Sequence, residues 1–254
     1  MQFKPKLELL KSYDEVEKRG FHNPPYVAIY RSGNKTLVYM ADRHAKEESW
    51  NMVDWCFLKE FGLRPDILLT EFENVGRKFD DPVLIEAKAE LNTLAHAAFV
   101  AAKHKVPVVL SDLSASEMMS VIGVKEKRDL LEVLRVSPNS NGSDLQKMGA
   151  KLNKEGRNPF MVQNIAVALN KYDTVFCIFG EGHFREQRAV LDDMFGHGPD
   201  EYITEFPDMH TDFGKSKRNI FQSACDKIKQ KLHKMEIIRL VEFGKERNRN
   251  DKIE

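Results

Sequence analysis

Apolar residues run along this chain in two rhythms. Short β-branched runs bounded by turn residues alternate with longer stretches whose apolar positions recur at helical spacing. Tyr26–Tyr30 and Thr36–Met40 flank Ser32-Gly33-Asn34 and predict a β-hairpin. Residues 45–61 place Trp50, Val53, Trp55, Phe57 and Leu58 on a helical pattern, with Gly62 to end it. Pro65-Asp66 introduces Ile67–Thr70, a buried strand, and Leu84–Lys103 reads as a strongly periodic helix. Val106–Leu110 is the next strand, with Pro107 near its start, where a missing donor is tolerable.

Residues 113–170 read as mostly helical, broken by the polar loop Ser137–Ser143. Thr174–Phe179 is the last core strand, followed by Gly180-Glu181-Gly182-His183 and a helix through Met194. Tyr202–Phe206 is expected as an edge strand and Ala224–Phe243 as a charged helix. Strands alternating with helices predict a single α/β domain over 1–254: a central, largely parallel sheet covered by helices. Its core spans about 24–206, with a helical insert at about 113–170 and a charged C-terminal helical segment at about 215–254.

Composition narrows the function classes. Thirty-nine Lys and Arg balance 39 Asp and Glu, so net charge gives no reason to expect nucleic acid or an acidic membrane as partner. Residues 215–254 hold twelve basic and six acidic side chains, a +6 excess that reads as a solvated helical face. A hydrophobic content of 42% excludes disorder as the default state. The three cysteines, Cys56, Cys177 and Cys225, have no CxxC spacing, which argues against a disulfide framework and a Cys-based metal site. The N-terminus lacks the apolar core of a signal peptide, and no window approaches the roughly 18 apolar residues of a membrane span. A cytoplasmic protein acting on a small molecule or peptide is expected.

Ligands of open α/β sheets bind beyond the carboxyl ends of the strands. Four predicted strands deliver polar residues there: Asp42-Arg43-His44, Glu71 with Glu73, Ser111-Asp112, and Glu181-Gly182-His183. Histidine and carboxylate side chains from separate strand ends suit two chemistries. They can hold one divalent metal with positions open to water, or a histidine can act as general base oriented by Glu71. Taken singly, each has a plain structural reading. Asp112 can cap the following helix, Glu73 can be a surface carboxylate, and His96, His104, His210 and His233 read as packed or solvated.

Four blocks in order strengthen the site reading: Tyr39-Met-Ala-Asp-Arg-His44, Leu68-Leu-Thr-Glu71, Arg157-Asn158 opening a helix, and Val175-Phe-Cys-Ile-Phe-Gly-Glu-Gly-His183. This series of strand–GxxH, strand–Glu, Arg-Asn and strand–GxxH–helix resembles the TIKI/TraB superfamily, a grouping that takes in erythromycin-esterase-like and ChaN-like haem-uptake proteins. The similarity spans roughly residues 26–206. It implies that His44, Glu71 and His183 take the family's functional positions, with Arg157 and Asp112 in support. The family includes metal-dependent proteases, metal-independent esterases, and members that bind haem or act in signalling. Ala41 stands where the first GxxH motif has glycine, a departure that alters the first half-site if close backbone approach is needed there.

The expectation is therefore a hydrolase of an ester or amide bond. Water would be activated by a divalent metal (Mn, Co or Zn) on His44, Glu71 and His183, or by a histidine oriented by Glu71. Arg157 or Arg185 would stabilise the oxyanion, Arg43 and Asp112 would contact substrate, and the insert with its 137–143 loop would form a lid. The alternatives are a haem or ligand carrier, using His44, His183 or a tyrosine over a slot with Met118, Met119, Met148 and Met161, and a site-decayed member working by protein contact.

Overall fold

Strands that read as almost unbroken apolar runs need cover on both faces, and the fold supplies it. The computed structural model describes residues 2–16, 22–43, 46–57, 64–71, 93–135 and 143–205. A six-stranded sheet is built from β1 (Tyr26–Ser32), β2 (Lys35–Asp42), β3 (Ile67–Thr70), β4 (Val108–Leu110), β5 (Thr174–Gly180) and β6 (Glu201–Ile203), in the order β4-β3-β5-β2-β1-β6. Strands β4, β3, β5 and β2 pair in parallel. β1 is antiparallel to both its neighbours. The expected α/β class with a largely parallel sheet is the observed one. Among the described residues no helix is long and apolar enough to cross a membrane.

Alternation along each strand divides the core in two. Tyr39 and Ala41 of β2, with Cys177 and Phe179 of β5, face helices α6 (Asn158–Lys171) and α7 (Glu181–Phe195). Val38, Met40, Phe176 and Ile178 face α1 (Lys46–Cys56) and α2 (Thr93–Lys103). The hairpin turn is shorter than the sequence pattern suggested, because Ser32 already pairs with Lys35. Gly33, at φ +60°, takes the first corner, a backbone state that glycine adopts without a Cβ penalty. β4 starts at Val108, just past Pro107, and β6 runs over Glu201–Ile203, sharing only Tyr202 and Ile203 with the expected edge strand.

The expected insert divides in the structure. Helices α3 (Ala115–Ile122), α4 (Lys127–Arg135) and α5 (Asp144–Leu152) close around their own apolar cluster of Leu113, Met118, Ile122, Leu130, Val133 and Leu152. The next helix, α6, instead buries Met161, Val162, Ile165 and Leu169 against the sheet. Helical spacing shows that a face is apolar but not which core it joins. Loop residues 137–142, the first part of the 84–103 helix and the C-terminal segment from 206 onward lie outside the described residues.

The N-terminal segment crosses α7 as a strap. Phe3 packs against Phe195, the two rings tilted with centroids 5.1 Å apart, and Leu10 joins the core. The Asn170 side chain clasps the backbone of Phe3, accepting its N–H at 2.8 Å and donating to its carbonyl at 2.9 Å. The Lys11 N–H donates to the Glu186 carbonyl at 3.1 Å. Asn170→Ala is expected to cost about 1–2 kcal/mol, the weight of two partly buried hydrogen bonds. Hydrogen exchange should speed up in residues 2–16 ahead of the sheet; unchanged exchange there would show that the clasp does not hold the strap.

Candidate functional site

Parallel pairing brings the carboxyl ends of β2, β3, β4 and β5 to one edge, so residues distant in sequence meet there. Glu71 is the first residue after β3, and Asp112 follows β4 by two. β5 passes through Gly180 directly into α7, placing His183 in the first helical turn. Arg157 and Asn158 arrive from the opposite direction. A single π-helical turn, Asn153–Arg157, joins α5 to α6, and the Asn158 N–H bonds to the Asn153 carbonyl five residues back.

These elements bring together Glu71, Asp112, Arg157 and His183. Arg157 holds Asp112 in a bidentate grip, with Nε at 3.1 Å from both carboxylate oxygens and Nη2 at 2.7 Å from Oδ2. The same Nη2 lies 3.7 Å from Glu71 Oε2, and His183 Nε2 lies 3.4 Å from that oxygen. Burial works against the guanidinium charge, but the carboxylates of Asp112, Glu71 and Glu186 more than offset it. A Cβ at Gly180 would sit 3.6 Å from Glu71 Oε1, an ordinary contact, so this approach does not itself require glycine.

Behind His183 lies a buried polar chain. His183 Nδ1 is 2.7 Å from Asn158 Oδ1, which also accepts from Gln187 Nε2 at 2.9 Å. Tyr39 donates its hydroxyl proton to Gln187 Oε1 at 3.0 Å, and Asn158 Nδ2 donates to Glu186 Oε2 at 2.5 Å. An amide oxygen only accepts, so Nδ1 of His183 carries the proton in this arrangement. Glu186 is 2% exposed. Burial pushes its carboxyl up to about 7, opposed by the Asn158 amide, the Arg157 charge and the Tyr13 N–H.

His44 and Glu73 lie outside the described residues, as do His210 and His233. Arg43 is half-exposed and pairs with Glu48 of α1. Arg185 pairs with Glu181 one turn earlier on α7. Asp112 does not cap the following helix: Ser114 does, in a reciprocal capping box with Glu117. His96 pairs with Asp54 at 2.9 Å and stacks on Trp50, and His104 lies against Phe57. Met118 fills the insert's core, with Met119 and Met148 against it, and Met161 belongs to the sheet core. The sequence pattern gives Asn158 no role of its own within the Arg-Asn block. It does not single out Glu186 and Gln187 either, although they lie three and four residues beyond His183 on the same helical face.

Among the described residues no group of three His, Cys, Asp or Glu side chains is placed to hold a metal ion. Glu71 and His183 are both within the described set, and their donor atoms are close enough to share an ion. A divalent cation there would also face the Arg157 guanidinium, whose Nη2 lies 3.7 Å from the same oxygen. Glu71 and His183 are two of the three expected donors, and the third, His44, lies outside the described residues. Comparison with models of protein families, with curated proteins and with solved structures returned no match.

Glu186 generates a pH-dependent stability. A carboxyl raised from 4.5 to about 7 keeps in the fold a proton that the unfolded chain has released. Stability from this group therefore falls as pH rises from about 4.5 to about 7 and stays lower above it, by roughly 3 kcal/mol in all. Glu186→Gln should flatten that fall, gaining on the wild type between pH 5 and pH 8 in urea unfolding (roughly 3 kcal/mol). Parallel curves would show an unshifted carboxyl. Arg157→Met, which leaves Glu71 and Asp112 buried without their cation, should lose about 3–5 kcal/mol in the same measurement.

Proposed function

We propose that the chain is a hydrolase of an ester or amide bond whose base is His183 and whose chemistry needs no metal. The observation that supports this most is the buried pair of His183 Nε2 and Glu71 Oε2, 3.4 Å apart at the carboxyl edge of the sheet, with Nδ1 tied to Asn158. With its proton on Nδ1, the imidazole presents a lone pair at Nε2. A water beside Nε2 gives up a proton as it attacks the substrate carbonyl, and the resulting imidazolium is stabilised by the Glu71 carboxylate. The imidazolium then returns the proton to the leaving alcohol or amine.

Arg157 is occupied by Asp112 and Glu71, so in this reading it keeps Glu71 ionised and in place. The oxyanion falls instead to backbone N–H groups in the first turn of α7, which have no acceptor within the helix. In this reading the α3–α5 cluster, which begins immediately after Asp112, selects among esters, amides or peptides.

The test is turnover of an ester and peptide library by the full chain before and after chelation. Activity should survive chelation and fall about 10²–10⁴-fold in both His183→Gln and Glu71→Gln. Activity lost on chelation, restored by Mn, Co or Zn and abolished by His44→Ala would replace the metal-free base with a metal site. A Soret band on adding haem, without turnover, would favour the ligand carrier.

A further inference from the structure

Glu186 is a buried carboxyl that the hydrolytic cycle does not itself use. From the π turn and α6 it meets the Asn153 side chain, the Arg157 charge and Asn158 Nδ2, and from the N-terminal strap the Tyr13 N–H. On its own helix the network leads on to Gln187 and His183. Tyr39, Gln187, Asn158, His183 and Glu186 thus form one buried chain of hydrogen bonds.

Such a chain has two possible polarities. The Tyr39 hydroxyl, both amides and the imidazole can each donate or accept, so each survives reversal. An ionised carboxylate only accepts. With Glu186 ionised, Asn158 must offer Nδ2 to it and Oδ1 to His183. If Asn158 turned over, Nδ2 would face His183, Nδ1 would hold the lone pair, and the proton would move to Nε2.

We infer that Glu186 is a positioning residue: acting through Asn158, its carboxylate holds the proton of neutral His183 on Nδ1 against the pull of the Glu71 carboxylate, which lies 3.4 Å from Nε2 and favours a proton there, and so leaves Nε2 as the proton acceptor. This deepens the hydrolase reading and rests on it for its functional meaning, because a base at Nε2 needs its lone pair there. It also makes the basic nitrogen of His183 a function of pH. Protonated Glu186 can donate to Asn158 Oδ1, which releases the constraint, and the raised carboxyl puts that event near neutrality.

The test reads the imidazole itself. Long-range ¹H–¹⁵N spectra of the labelled full chain report which ring nitrogen is protonated, with His183 assigned as the signal lost in His183→Gln. Neutral His183 should be the Nδ1–H tautomer in the wild type at about pH 8.5, above the raised carboxyl value. In Glu186→Gln, whose amide can donate as well as accept, the Nδ1–H to Nε2–H ratio should fall by roughly tenfold, the weight of one hydrogen bond to a charged group. A wild-type Nε2–H tautomer, or a ratio unmoved by Glu186→Gln, would overturn the inference. Should that variant not fold, the wild-type pH series decides: the ratio must follow the Glu186 carboxyl ¹³C resonance, and independence from it overturns the inference equally. No substrate enters the measurement, so absence of turnover and failure of this inference are separate results.

Discussion

The carboxylate of Glu71 sits at 9% exposure on the edge of the sheet, and a charge so placed requires a cation. Arg157 is that cation, and much of the surrounding architecture serves to deliver it. Its guanidinium is steered by a bidentate pairing with Asp112 from the neighbouring strand end, so the pair is close to neutral and Nη2 is left leaning on Glu71. Truncating Arg157 would strand two carboxylates, which is why its role in holding the fold exceeds that of an exposed ion pair.

Arg157 ends the π turn and Asn158 opens α6, and these neighbours reach different partners. Successive helical residues point about 100° apart, so one side chain reaches down to Asp112 and Glu71 while the next reaches across to His183 and Glu186. Gly156 lets this turn lie close against the insert, where a Cβ would meet Leu113 Cδ1 at 2.9 Å. The three insert helices therefore bear on the site through the turn that ends them.

α7 contributes the other half. Phe184, Val190 and Leu191 anchor it to the sheet, and His183, Glu186 and Gln187 share the face turned to α6. The N-terminal strap completes the burial of Glu186 through the Tyr13 N–H, and Asn170 holds the strap down. A residue pair more than 160 positions apart thus bears on the protonation of a carboxyl next to the site. Stability and the candidate chemistry are coupled through that one group.

The sequence by itself determined the strands, the two-faced parallel sheet and the edge at which polar residues collect. Parallel strands share one carboxyl edge, so the polar residues just beyond the strand ends already pointed to Glu71, Asp112 and His183. Tertiary structure alone decided how the polar groups pair. Arg43 and Arg185 are taken by acidic neighbours on their own segments, while Arg157 reaches a carboxylate 45 residues away. A π turn leaves no periodic mark in a sequence, and helical spacing does not say which core a helix such as α6 will join. In the sequence Glu186 is one more charged residue on an amphipathic helix. Only the packing of α6 and the N-terminal strap against it turned that charge inward, because desolvation and hydrogen-bond direction are properties of the assembled interior and not of the chain.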